Sequence, residues 1–212
     1  MRLLFALTAA LLPAGAATIY NNGTPNAGGG ATFSHFRVVE DFSLAANANV
    51  TGLRFWTHLQ SSAQTIADLT WAIYGDNAGL PGAVVQSGSA TNVAAIVDGV
   101  THRREIAASF NLTAGDYFIE FHAASGLNVE GPLVQSWAFT ADNATDRYRQ
   151  GDLTAVPTFE TNNGSGTEQL AFQIDGTFDS EIPEPSSIAL AALGLSVLWR
   201  KRSSRAAKTR RG

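Results

Sequence analysis

The central part of the chain is predicted to fold as an all-β domain, a single sandwich of the jelly-roll type. Apolar residues alternate with polar ones over short runs from Phe33 onward, which is the period of a half-buried strand. Aromatic and β-branched residues fill the apolar positions, and Gly, Asn and Asp turns interrupt the runs. No run has a convincing helical period. These features predict eight or nine short strands, with a single closed sheet as the alternative architecture.

The first seventeen residues have the pattern of a secretory signal peptide. Arg2 is followed by the apolar run Leu3–Leu12, and Ala14-Gly15-Ala16 provides an Ala-x-Ala cleavage site. The run is too short for a lasting transmembrane helix. We therefore expect residues 1–17 to be removed by signal peptidase.

Residues 18–180 then form one domain by the usual size of domains. Because the chain has no cysteine, neither disulfides nor thiolate chemistry is available, and an exported domain must depend on its hydrophobic core. The Gly- and Asn-rich stretch from Asn22 to Gly30 is predicted to be a surface loop.

The alternation assigns an inward face to each predicted strand, and Arg54, Trp56 and His58 to the opposite face of one of them. The predicted inward residues are Phe36, Val38, Phe42, Leu53, Phe55, Leu59, Leu69, Trp71, Ile73, Val84, Ile106, Ala108, Phe110, Tyr117, Ile119, Phe121, Leu133, Trp137, Phe139, Leu170, Phe172 and Ile174.

The clearest internal motif is LTWAIYGDNAGLPG at Leu69–Gly82, which predicts a strand, a turn and a second strand. It resembles a segment of the choice-of-anchor modules, which are sandwich domains of bacterial surface proteins. The run Leu112–Glu120 is similar to a strand entry of the same modules, with Phe118 where Trp is usual. The resemblance implies a β-sandwich and no particular ligand.

The charge of the chain is strongly polarised. Residues 18–181 contain six arginines, no lysine and seventeen acidic residues, a net charge of −11. Nucleic-acid backbones are bound by Lys and Arg, so this composition excludes nucleic acid as the main partner.

The C-terminal tail, residues 181–212, has three parts in a fixed order. The triplet Pro183-Glu184-Pro185 precedes an apolar segment, residues 186–199, which is predicted to be a short transmembrane helix. Arg200, Lys201 and Arg202 follow it as a membrane stop, and the basic residues place the far end in the cytoplasm.

The order and spacing of these parts resemble the PEP-CTERM sorting signal, a tail that also carries the name of an ice-binding protein C-terminal domain. The resemblance implies exosortase as a partner and a passage through the inner membrane of a Gram-negative bacterium, ending at the cell surface or in the extracellular matrix. A plain membrane anchor is the alternative. It is less favoured because fourteen residues span about 21 Å at ~1.5 Å per residue, against roughly 30 Å of hydrocarbon.

No catalytic motif is present, so the protein is expected not to be an enzyme. The four histidines, His35, His58, His102 and His122, lack the spacing of a metal site and are predicted to lie on solvated strand faces. A hydrolase with an unrecognised site remains an alternative.

Two kinds of binding site are conceivable from residue type. Asp76 and Asn77 offer oxygen ligands for calcium, as do the acidic residues of the segment 142–146. Trp56 and Trp137 are candidate sugar contacts, since an exposed indole stacks on sugar rings. The expected function is a structural or adhesive role in exopolysaccharide or biofilm, and the alternative is a carbohydrate-binding module.

Overall fold

The structure, a computed structural model, describes residues 16–58, 65–99, 101–140, 148–154, 159–161 and 168–179. The chain divides into two compact units, Met1–Asp179 and Ser180–Gly212, and all described residues lie in the first unit. These described residues form thirteen strands and no helix, so the all-β prediction is confirmed and the strand number was too low. The strands are β1 (Ala17–Asn21), β2 (Pro25–Thr32), β3 (Arg37–Leu44), β4 (Ala48–His58), β5 (Ile66–Asp76), β6 (Pro81–Val93), β7 (Ile96–Asp98), β8 (Thr101–Leu112), β9 (Gly115–His122), β10 (Ser136–Thr140), β11 (Arg149–Gly151), β12 (Glu160–Thr161) and β13 (Phe172–Phe178).

The strands form two antiparallel sheets, which is consistent with the predicted sandwich. Sheet A has β4 at its centre: β8 pairs with one edge of β4, and β13 and β10 pair with the other. β1 adds to β13, β2 adds to β10, and β7 adds to β8. Sheet B has the order β12-β11-β3-β9-β5-β6.

An aromatic core fills the space between the sheets, and it confirms the predicted alternation in the central strands. The Phe55 ring of β4 stacks on Phe121 of β9 with ring centroids 4.3 Å apart. Trp137 of β10 meets both rings edge-on. Burying one such side chain stabilises the fold by about 1.5–3 kcal/mol. The predicted inward residues of β4, β5, β9 and the 170–174 run that lie within the described ranges are all buried.

Three predicted inward residues are exposed, and those three predictions are wrong. Phe36 lies in the turn before β3, so it has no strand to orient it. Val84 lies on the edge strand β6, where the pairing with β5 shifts register. Leu133 belongs to the irregular segment before β10. Leu59 lies outside the described residues.

The Gly- and Asn-rich stretch was wrongly predicted to be a loop, because most of it forms β2, which pairs with β10. Glycine is required by close packing here: a Cβ on Gly30 would lie 2.4 Å from the backbone oxygen of Trp137. Glycine-rich composition therefore marks a close approach of two strands at this edge of sheet A.

Candidate functional sites

The residues of the predicted sorting signal lie outside the described part of the structure. This applies to Pro183, Glu184 and Pro185, to the predicted helix at residues 186–199, and to Arg200, Lys201 and Arg202. It applies equally to the predicted signal peptide up to residue 15 and to the acidic segment 142–146.

Trp56, a predicted sugar contact, lines a groove on the outer side of sheet A. The groove has a volume of about 270 Å³, and its walls are formed by Gly23, Thr24, Pro25, Trp56, Asp98, Gly99, Thr101 and Gln173. The Trp56 Nε1–H donates a hydrogen bond to Asp98 Oδ2 at 2.8 Å. The indole also packs against Ala138 and Ala171, and only 5% of the residue is exposed. The groove therefore offers an indole edge and several polar groups, and little of the ring face on which a sugar would stack.

Trp137 is not a surface aromatic, and its prediction as a sugar contact is wrong. The residue is 0% exposed and lies in the core among Phe55, Phe121 and Phe172. Its Nε1–H donates to the backbone oxygen of Ala171 at 2.9 Å, which satisfies the polar end of the buried ring. The strand alternation that placed Trp137 inward already contradicted a surface role.

The geometry at Asp76 and Asn77 does not support the predicted calcium site. Asp76 Oδ1 accepts a hydrogen bond from the Gly79 N–H at 2.9 Å, and the Asn77 N–H donates to Leu80 O at 2.8 Å. Ala78 and Gly79 close this turn with φ of 55° and 82°. Calcium takes about 6–8 oxygen ligands, and across the described ranges no three His, Asp or Glu residues are grouped so as to hold a metal ion. Asp76 and Asn77 thus have the role of ordinary turn residues.

The outer face of sheet B contains a buried ionic cluster, defined as Arg37 of β3, Tyr74 of β5 and Glu120 of β9. Arg37 donates from Nε to Glu120 Oε1 at 2.9 Å and from an Nη to Oε2 at 2.8 Å, a bidentate pair. The Tyr74 hydroxyl donates to Glu120 Oε2 at 2.5 Å and accepts from Arg37. The strand order β3-β9-β5 places these three side chains next to one another.

Burial and the contacts within the cluster together set the pKa values of Arg37 and Tyr74. Burial would by itself lower the pKa of Arg37, but the hydrogen bonds and the charge of Glu120 outweigh it and raise that pKa. The pKa of Tyr74 is raised above its ordinary value of 10, first by burial and then by the Glu120 carboxylate. At neutral pH Arg37 therefore keeps its positive charge and Tyr74 stays neutral.

A cover of irregular chain lies over this face of sheet B. Leu127 and Phe159 pack against the apolar patch formed by Val39, Ala72, Tyr74 and Phe118. The Phe159 ring centroid is 5.5 Å from Arg37 Cζ, a cation–π distance. The Thr70 hydroxyl donates to Ala124 O at 2.8 Å, which attaches the segment after β9 to the sheet. The ionic groups are therefore enclosed and bonded to each other, an arrangement suited to holding strands together.

Two of the four histidines are buried, which contradicts their prediction as residues of solvated faces. His122 follows Glu120 on the covered face of β9, and its Nε2–H donates to Val129 O at 2.6 Å. His102 of β8 is also buried. The predictions failed because alternation identifies the face of a strand but does not show whether another segment covers it.

Arg104 is a second buried arginine that the sequence analysis did not single out. Its Nη1 donates to Val93 O at 3.1 Å, and Nε donates to the Thr57 hydroxyl at 3.3 Å. Burial lowers the pKa of Arg104 to about 10. The guanidinium thereby links β8 to β4 and to the end of β6.

A more exposed ion pair lies on the outer face of sheet A. Arg54 Nε donates to Asp175 Oδ2 at 2.7 Å, and a second Arg54 nitrogen contacts both Asp175 and Thr18. The hydrogen bond and charge of Asp175 raise the pKa of Arg54, against the opposing effect of burial. The pair borders a shallow cavity of about 290 Å³ together with Leu53, Glu105, Ile106 and Ala107.

Comparison with known families identifies the tail. Residues 181–203 match the PEP-CTERM protein-sorting motif, which confirms the resemblance on which the tail was interpreted. The motif implies export through a membrane-associated route, with exosortase as the processing partner. No curated protein matches the chain. In the part of the chain that the structure describes, no helix has the length and apolar character needed for a transmembrane span.

Proposed function

We propose that this chain is an exported, non-enzymatic β-sandwich protein, sorted by exosortase to the cell surface or extracellular matrix, where it acts as a structural or adhesive component of exopolysaccharide. The observation that carries the proposal is the sorting motif at residues 181–203, which follows closely on β13, the last described strand. The buried ionic cluster supports a structural role, since its charged groups bind one another inside the fold.

Mass spectrometry of the protein recovered from producing cells and from their medium tests the sorting step. The exported form should begin near residue 17 or 18 and lack the basic terminus. Glu184→Gln changes the centre of the Pro-Glu-Pro triplet and should leave uncleaved protein in the membrane. Asp179→Asn is the matched control, because it also replaces a carboxylate by an amide but lies before the matched motif. An exported form that still ends at Gly212 would defeat the processing step and leave a plain anchor.

The matrix role needs a separate measurement. The protein should co-sediment with exopolysaccharide isolated from the producing cells, and a strain without the protein should form a less cohesive matrix. The polysaccharide chain length should stay constant during incubation with the protein. Shortening of the chains that disappears when one acid or histidine is replaced would establish a hydrolase instead.

A carbohydrate-binding module is the second candidate, and the groove at Trp56 favours it. Asp98, Gln173 and Thr24 place polar groups around the indole edge, in a volume suited to one or two sugar rings. Gln173→Ala should weaken a glycan-array signal if this groove binds sugar, while Thr51→Ala, on exposed strand surface, should not. Trp56→Phe keeps an aromatic ring and removes the N–H that holds Asp98, so it tests the polar contact without emptying the site.

A further inference from the structure

The edge strand β6 has the composition of a pairing surface. It forms one end of sheet B, and among the described residues its only strand partner is β5. Its thirteen residues, PGAVVQSGSATNV, include no charged side chain, and the single proline is its first residue. Edge strands in monomeric proteins usually carry charges, prolines or distortions that prevent pairing with another chain.

The other open edges in the described structure differ from β6 in the expected way. β1 has five residues, β7 has three and β12 has two, so all three are short. β2 is also uncharged, but it has only eight residues, three of them consecutive glycines, and its pairing with β10 shifts register between Ala138 and Thr140. β8 is long, but β7 covers its first residues, and it carries Arg103, Arg104 and Glu105. Among the edges that the structure describes, β6 is therefore the longest without a charged side chain.

The central part of β6, residues 86–91, is regular and has small side chains. Its pairing with β5 shifts register before Gln86, and Asn92 has a φ of 53°, which ends the regular stretch. Ser87, Ser89 and Thr91 are exposed on one face. On the other face Gly88 meets Trp71, since a Cβ there would lie 2.6 Å from the indole. Trp71 also stacks on Phe110 of β8, so the inner face of the edge is firmly packed.

We propose that β6 is a homodimer interface, in which residues 86–91 pair antiparallel with the same residues of a second copy across a two-fold axis. An antiparallel edge is self-complementary, because a two-fold axis pairs the residue on the axis with its own equivalent and pairs every other residue with the one equally far on the opposite side of the axis. The charge pattern favours a second copy of the chain as the partner of β6. Residues 18–181 have a net charge of −11, so two copies repel each other least where they meet along an uncharged edge. Pairing would extend sheet B into a continuous sheet through both copies.

The absence of cysteine from the chain makes a direct cross-linking test possible. Paired residues of antiparallel strands have Cα atoms about 4.5–5.5 Å apart, within the range of about 4.4–6.8 Å that a disulfide accepts. One residue away from the axis, the two equivalent residues are offset by about 7 Å along the strands, which places their Cα atoms roughly 8–9 Å apart, beyond the reach of a disulfide. Single cysteines at 86, 87, 89, 90 and 91, introduced into the protein recovered from producing cells and kept in mild detergent, should therefore cross-link at one position only. Mixing Ser87→Cys with Ser89→Cys extends the test to an axis at Gly88.

Ser89→Lys tests the same contact without oxidation. Two lysines brought together at the edge should weaken dimerisation about tenfold or more, measured by sedimentation. Thr51→Lys is the matched control, an exposed residue of β4, which is paired on both sides, and it should leave the dimer unchanged. Raising the salt concentration should strengthen the dimer, because it screens repulsion between acidic domains.

A monomer at high salt, or cross-linking that is equal at all positions, would overturn the proposal. A dimer that persists in Ser89→Lys would place the contact elsewhere. Association of β6 with a basic partner, weakened by salt, would assign the edge to a different protein and equally reject the homodimer. None of these results bears on tail processing, so the sorting proposal stands or fails separately.

Discussion

Each sheet has an arginine–carboxylate ion pair on its outer face, and the two pairs differ in how much of their side chains is exposed to solvent. On sheet B the Arg37–Glu120 pair joins β3 to β9, and its side chains are 5% and 0% exposed. On sheet A the Arg54–Asp175 pair joins β4 to β13, and its side chains are 25% and 19% exposed. Both pairs connect neighbouring strands through two hydrogen bonds.

The two pairs differ in whether water can hydrate a charged side chain after its partner has been removed. If one partner of the sheet A pair is removed, solvent can hydrate the other, so the pair contributes little to stability. If one partner of the sheet B pair is removed, a charge remains enclosed under Leu127 and Phe159 without compensation. Two ion pairs with the same kind of hydrogen bonding are therefore expected to differ in how much stability is lost when one partner is removed.

The largest effect is expected for Glu120→Gln, which keeps the shape of the side chain and removes its charge. The buried guanidinium of Arg37 loses its counter-ion, and the free energy of unfolding should fall by about 3–5 kcal/mol. Urea denaturation followed by tryptophan fluorescence measures this change. A loss below about 1 kcal/mol would mean that water reaches the cluster, as it does on sheet A.

Tyr74→Phe should lower the free energy of unfolding by about 1–3 kcal/mol, since it leaves a buried hydrogen-bonding position of Glu120 unfilled. The same variant should also change how the free energy of unfolding depends on pH above pH 10. The raised pKa of Tyr74 gives a contribution that is complete below pH 10 and is lost as the pH rises through and beyond that value.

Comparing the variant with wild type separates the contribution of Tyr74 from those of other groups that titrate at high pH. Burial, then Asp41 and Glu40, also raises the pKa of Tyr20, while burial lowers that of Arg104 to about 10, which acts in the opposite direction. Both remain in the variant. The loss of stability above pH 10 should therefore be shallower in Tyr74→Phe than in wild type, and parallel curves would argue against the assignment.

Replacing all three residues of the ionic cluster by apolar ones should lower the free energy of unfolding less than removing one charge from it. Arg37→Met, Glu120→Leu and Tyr74→Phe together remove all buried charge, and the combined variant should lie within about 2 kcal/mol of wild type, because apolar replacements of buried ion pairs are often neutral. Measured beside Glu120→Gln, it separates the role of burial from that of hydrogen bonding. If the combined variant proved less stable than Glu120→Gln, the ion pair itself would be a net source of stability.

The smallest effect is expected for Asp175→Asn on sheet A. The partly exposed pair should contribute about 0.2–1 kcal/mol, and the effect should shrink as salt is added. Denaturation at low and high ionic strength provides the measurement. A salt-independent loss as large as that of Glu120→Gln would show that the two faces are equivalent after all.

Local patterns predicted most of the strand interiors and missed the features that depend on neighbours in space. The alternation around Leu53, Trp71 and Ile119 was sufficient to place those residues inside, since the period of a strand decides its faces. The same rule could not show that a loop covers Glu120 and His122, or that Gly30 belongs to a strand. The sequence does show charged residues within otherwise apolar strands. It does not show that Arg37 pairs with Glu120, because the two residues are 83 positions apart in the chain.

The sequence by itself determined the fold class, the acidic character of the domain and the sorting tail, because periodicity, charge and a contiguous motif are local properties. Tertiary structure alone decided which polar residues are buried, which of the two candidate tryptophans reaches the surface groove, and which strand is left at an edge. Those outcomes depend on strand order and on coverage by distant segments, and neither is encoded in any short stretch of the chain.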